Sequence, residues 1–100
     1  MHARIATYRL TNGDVADVVD AARQGMLPIF QRSPGFKRYG IVDARDGTIV
    51  SVSLWDSRSD ADRAVVAAAD FVREQLADRI TLETSSVGDL SFFEGAASSL

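Results

Sequence analysis

Residues 4 to 10, Arg-Ile-Ala-Thr-Tyr-Arg-Leu, mix polar and apolar positions in a β-compatible run that stops at Thr11-Asn12-Gly13-Asp14, a turn followed by a helix-capping side chain. The period then changes. Val15, Val18, Val19, Ala22, Met26 and Ile29 recur at helical spacing, with Asp17, Asp20 and Arg23 on the polar side. Pro28 lacks a backbone donor and crowds the preceding turn, so the regular helix is expected to end or kink near Gly25 to Leu27. Beyond the turn at Ser33-Pro34-Gly35, Phe36 to Ala44 and Thr48 to Trp55 read as strands joined through Asp46-Gly47, a strong hairpin signal. Capping residues in Asp56-Ser57-Arg58-Ser59-Asp60 precede Ala61, Ala64, Val65, Ala68, Val72 and Leu76, again at helical intervals. Leu82 to Phe93 supplies a fourth strand, with Gly88-Asp89 as a bulge or turn within it.

The order βαββαβ, with right-handed crossovers, predicts an α+β, ferredoxin-like domain: a four-stranded antiparallel sheet in the order 4-1-3-2 with both helices on one face. A single domain is expected over residues 1–95, and a flexible tail over 96–100. If Asp46-Gly47 is a two-residue turn, Arg45 pairs with Thr48, Val42 with Ser51, Gly40 with Ser53 and Arg38 with Trp55. That register puts Arg38, Gly40, Ser51, Ser53 and Trp55 on the uncovered face, and Tyr39, Ile41, Val50, Val52 and Leu54 under the helices. Exposing Trp55 to water is unfavourable, so a second copy of the chain is the natural cover. A homodimer closed through this face would enclose small residues, an Arg and a Trp, the makings of a small-molecule cavity.

Composition narrows the chemistry more than it alters the fold. Of 100 residues, 46% are apolar and 25% charged, ordinary globular proportions that allow one core. The chain has no cysteine, which removes disulfides, thiol catalysis and thiolate metal sites. No run of apolar residues is long enough for a membrane span, the N-terminus lacks a signal-peptide pattern, and cytoplasmic residence is the resulting expectation. A net charge of -3 with scattered Lys and Arg argues against nucleic acid. No spacing of His, Asp or Glu suggests a metal site, and no glycine motif suggests a nucleotide cofactor.

Three segments carry a resemblance: Ser33-Pro34-Gly35-Phe36 opening the second strand, Leu54-Trp55-Asp56-Ser57 closing the third, and Asp60-Ala61-Asp62 in an Ala-rich helix. With the element order, they make the whole chain resemble the dimeric α+β barrel superfamily, and within it the antibiotic-biosynthesis monooxygenase-like proteins. The resemblance implies a dimer and, among the family's activities, cofactor-independent oxidation of a small aromatic compound, with a non-catalytic binding or structural dimer as the alternative. Trp55 is similar to the family's tryptophan at the end of strand three, and Tyr8 stands where the haem-degrading branch carries an asparagine, which implies a cavity-facing side chain. That branch also uses a helix-borne histidine and a second tryptophan, whereas here the only His is His2 and the only Trp is Trp55.

The candidate catalytic residues are accordingly Arg38 and Tyr8, holding the anion of an activated substrate, with Trp55, Ser51 and Ser53 as substrate-binding residues. Each has a plainer role beside it. Trp55 could stack a ligand or anchor the core, and Arg38 could hold an anion, lie on Trp55 or stay in solvent. Tyr8 could donate to substrate or be satisfied by backbone, and the serines have no base to make them nucleophiles. Phe92 and Phe93 alternate across a strand, so one would reach the dimer interface.

Overall fold

The computed structural model of the protein describes residues 1–95, and the tail expected at 96–100 lies outside them. Strands β1 (His2–Leu10), β2 (Phe36–Asp43), β3 (Thr48–Trp55) and β4 (Ile80–Asp89) form an antiparallel sheet in the order β2-β3-β1-β4, as the topology predicts. The first helical rod comprises α1 (Val15–Ala21), a π-helical turn (Ala22–Met26) and α2 (Leu27–Gln31); the second is α3 (Arg58–Gln75). Ser57 caps α3, its hydroxyl accepting from the Asp60 amide at 3.1 Å.

As the sequence suggested, regular α geometry breaks ahead of Pro28, over Ala22–Met26, but the rod continues past it. The wide π turn lies just before it, so Pro28 enters near the start of α2, where its missing amide proton costs no helical bond. The same turn corrects a phase. Val18, Ala22, Met26 and Phe30 are all buried at intervals of four residues. In a pure α-helix that spacing drifts about 40° per step and would carry Phe30 off the sheet-facing side. A wider turn takes back part of that drift. Gly25 serves the same region: a Cβ there would stand 2.7 Å from Cζ of Phe71, so its absence lets α3 approach the turn.

The hairpin holds the main departure from expectation. The Asp46-Gly47 turn forms, with Thr48 N donating to Arg45 O at 2.9 Å. Arg45 is itself left-handed, however, with φ of 71° beside 52° at Asp46 and 77° at Gly47. The Asp43 carboxylate accepts from Arg45 N at 3.0 Å, and Ala44 N donates to Thr48 O at 2.9 Å. Ala44 and Arg45 thus share one partner, a bulge that slips β2 by one residue against β3. Ser53 faces Tyr39, Ser51 faces Ile41, and Arg38 faces Leu54. Ser51, Ser53 and Trp55 therefore lie under the helices, while Val50, Val52 and Leu54 take the open face with Arg38, the reverse of the expected assignment for β3. Trp55 and Ile49 decide the outcome. Both belong to this covered set, and burying them gains more than burying the valines.

Candidate active site

On β1 the strand alternation sends Arg4, Ala6 and Tyr8 toward the helices and Ile5 the other way. They meet Tyr39 and Ile41 of β2 and Ile49, Ser51, Ser53 and Trp55 of β3, so the covered face is a mixed polar and aromatic surface. It divides into two regions. Near the start of α3, Trp55 is fully buried, its ring edge-on to Phe30 at 5.1 Å and to Phe36 at 5.3 Å, while Phe30 meets Tyr39 edge-on at 5.0 Å. Trp55 Nε1 donates to Ser53 Oγ at 2.8 Å. This corner is packed, and Trp55 and Ser53 serve as a core anchor and its hydrogen-bond partner, although Nδ1 of His2, the β1 partner of Trp55, is buried without one.

The other region is not matched. Arg4 is 3% exposed, and its nearest polar contact is a long bond from Nη2 to Tyr8 Oη at 3.4 Å. Its Nε is buried without a partner, and among the described residues it forms no ion pair. A buried guanidinium, a fixed positive charge with five donors, is costly unless an anion or a full set of acceptors meets it. Because Tyr8 accepts from Arg4, its own hydroxyl proton is available to a third group. Tyr39 stands nearby, on the same cavity wall as the Ser51 side chain. Burial pushes its phenol up to about 12, against smaller lowering effects from Ser51 and Arg4, so it stays a neutral donor at physiological pH.

Space adjoins this group on two sides. An inner cavity of about 30 Å³ is bounded by Arg4, Tyr8, Tyr39 and Ser51 on the sheet and by Met26, Phe30 and Phe71 among the helical residues. A larger cleft of about 250 Å³ opens between α3 and β4, with Arg4 and Tyr8 at its floor and Val65, Ala69, Val72 and Leu82 as apolar walls. A bulge in β4 shapes this wall: Thr7 pairs with Thr84 but Tyr8 with Leu82, so Glu83 is extruded and Leu82 is drawn beside Tyr8. Inner cavity and outer cleft share three residues, the polar Arg4 and Tyr8 and the apolar Val72.

Of the residues expected from sequence, Tyr8 and Ser51 line this space, Ser53 and Trp55 fill the packed corner, and Arg38 lies exposed on the opposite face, away from Tyr8. Arg4 and Tyr39 were not singled out. The parity of β1 could have found Arg4, because any register that turns Tyr8 inward turns Arg4 inward with it. The described residues contain no cluster of His, Cys, Asp or Glu suited to a metal, and no helix long and apolar enough to cross a membrane.

No family model matches the chain. Thiamine-phosphate synthases of Mycobacterium ulcerans and Mycobacterium marinum are 38% identical over 96 residues, an alignment covering 82% of this chain; the chain spans only 44% of the length of those curated relatives. Solved structures match from end to end. SnoaB, a cofactor-independent oxygenase from Streptomyces nogalater, superimposes with a TM-score of 0.66 at 16% identity, covering 98% of this chain and 97% of that one. A protein described as an antibiotic biosynthesis monooxygenase from Chloroflexus aurantiacus gives 0.68 at 15% identity, over 94% and 96% of the two chains. A Nitrosomonas europaea protein of unknown function gives 0.70 at 13% identity, over 96% and 95%. By fold, then, this chain is similar to SnoaB and to antibiotic-biosynthesis monooxygenase-like structures, sharing their ferredoxin-like α+β arrangement.

Proposed function

We propose that the protein is a cofactor-independent oxygenase whose substrate is a small phenolic or enolisable aromatic compound bound in the cleft between α3 and β4. The observation that carries this reading is the buried, unpaired Arg4 beside an available Tyr8 proton. A substrate oxyanion placed there accepts from both, which replaces the missing partner of Arg4 and holds the substrate in its electron-rich form. Dioxygen reacts with that anion directly. One oxygen atom becomes a carbonyl on a ring-flanked CH₂ carbon, and the other leaves as water with the two hydrogens of that carbon. The inner cavity has room for a diatomic molecule, and Tyr39 and Ser51 on its wall are neutral donors to the reduced oxygen. The role sought at Arg38 thus passes to Arg4, and Tyr8 keeps the role sequence reasoning gave it.

The size of the cleft selects for one or two fused rings, since it lies below the roughly 300 to 1,000 Å³ usual for ligand pockets. The partial likeness to thiamine-phosphate synthases supports a different chemistry less well, because a phosphate ester calls for several donors converging on one point. The test is oxygen uptake with a panel of two-ring enolisable compounds, 1-naphthols and 2-indanones. Uptake by the wild-type protein that is lost in Arg4→Met and reduced in Tyr8→Phe is the expected result. Binding without uptake would instead make the protein a carrier of such compounds.

We further propose that a second copy covers the open face. Ile5 is 47% and Val42 52% exposed there, beside the half-buried Val50 and Val52, an apolar surface expensive to leave in water. A monomeric solution mass at micromolar concentration would refute it.

A further inference from the structure

The α3/β4 cleft has a second cation. Arg73, in the last turn of α3, lines the same space as Arg4 but belongs to the solvent end, with 67% of its side chain exposed. The walls between are Val65, Ala69, Val72 and Leu82, and Ser85 is the other polar lining residue. Charge is therefore placed at the buried floor and the open mouth of an otherwise apolar slot. The partner of Arg73 is Asp70, one helical turn earlier, through an exposed contact of 2.8 Å. Such a pair is weak and uses part of a donor set that a planar carboxylate can engage at two points.

From these placements we infer that the ligand is a planar aromatic with two anionic ends: the phenolate or enolate at Arg4 and Tyr8, and a carboxylate on the far ring at Arg73. The inference rests on the cleft being the oxyanion site proposed above and adds what its mouth selects. Arg4 acts by being desolvated and fixes the reacting end. Arg73 is solvated, fixes the direction of entry, and excludes compounds whose second polar group lies beside the first. The two cations thus differ in role because they differ in burial.

The experiment compares two probes by titration calorimetry: β-naphthol, and the hydroxynaphthoate whose carboxylate lies on the ring remote from the hydroxyl. The wild-type protein is expected to prefer the hydroxynaphthoate by roughly fivefold, the most an exposed ion pair ordinarily provides. Arg73→Gln is expected to bring the ratio to about one, Arg73→Lys to retain part of it, and Asp70→Asn to raise it by releasing the arginine. Added salt is expected to lower the wild-type ratio, since the mouth is open to solvent. Binding of both probes with equal affinity, or an unchanged ratio in Arg73→Gln, overturns this inference and leaves the oxyanion site standing. Failure of both probes to bind overturns the site and the inference together.

Discussion

The two faces of the sheet exchange the properties that a sorting of polar from apolar would assign them. Beneath the helices lie Arg4, Tyr8, Tyr39, Ser51 and Ser53, while the face without helices carries Ile5, Val42, Val50, Val52 and Leu54. A covered face built of valines would pack the helices more tightly and leave no polar interior. Small serines and large aromatics instead leave gaps, and the gaps coincide with the charged and phenolic groups. The open face, lacking such groups, is suited to association. The proposed oxyanion site and the proposed contact surface thereby fall on opposite sides of the same strands, with adjacent residues of β3 facing one or the other.

Substitutions can break this division in order of expected size. Trp55→Ala removes the anchor of the packed corner and is expected to cost about 3 to 5 kcal/mol, measured by denaturant unfolding. A loss below 1 kcal/mol would show that the corner is not the core of the covered face. Arg4→Met should act in the opposite sense. Replacing a buried charge by an apolar side chain of similar size is expected to stabilise the fold by roughly 1 to 4 kcal/mol while abolishing aromatic ligand binding. A destabilised Arg4→Met would mean that the guanidinium is satisfied in the folded chain.

The phenol of Tyr39 sharpens the comparison through pH. Its folded value, about 12, lies above the ordinary 10 of the unfolded chain. Between these values the folded state keeps a proton that the unfolded state has lost, so stability present below pH 10 declines as pH rises toward 12, by roughly 1.4 kcal/mol per pH unit. Tyr39→Phe is expected to flatten that slope in an alkaline unfolding series. The smallest effect belongs to the open face: Arg38→Ala should change stability and ligand affinity by no more than about 0.5 kcal/mol.

What the sequence disclosed and what it concealed follow from range. Element order, the cap at Ser57 and the Asp46-Gly47 turn depend on neighbouring residues and could be read directly. The sheet faces could not, because the extra residue at Arg45 is held by an Asp43 hydrogen bond that an Asp-Gly signal does not specify. One residue in a loop inverted the expected partners of Ser51 and Ser53. Arg4 was obscured for another reason: in a mixed strand an arginine reads as a surface residue, and its burial depends on helices more than a dozen residues away. The passage of the first rod through Pro28 depends likewise on a π turn, which no local preference announces.

The extruded Glu83 draws Leu82 into the cleft, and it has a counterpart. On the far edge of the sheet, Phe36 pairs with Trp55 and Arg38 with Leu54, which leaves Lys37 outside the ladder, paired with Asp56. Both outer strands are therefore interrupted by a charged residue that stands outside the ladder. A straight edge invites another strand to continue the sheet, which is the usual route to open-ended aggregation. Neither edge here offers an uninterrupted template, so growth strand by strand is disfavoured at both ends, and the proposed contact through the open face would close after one partner.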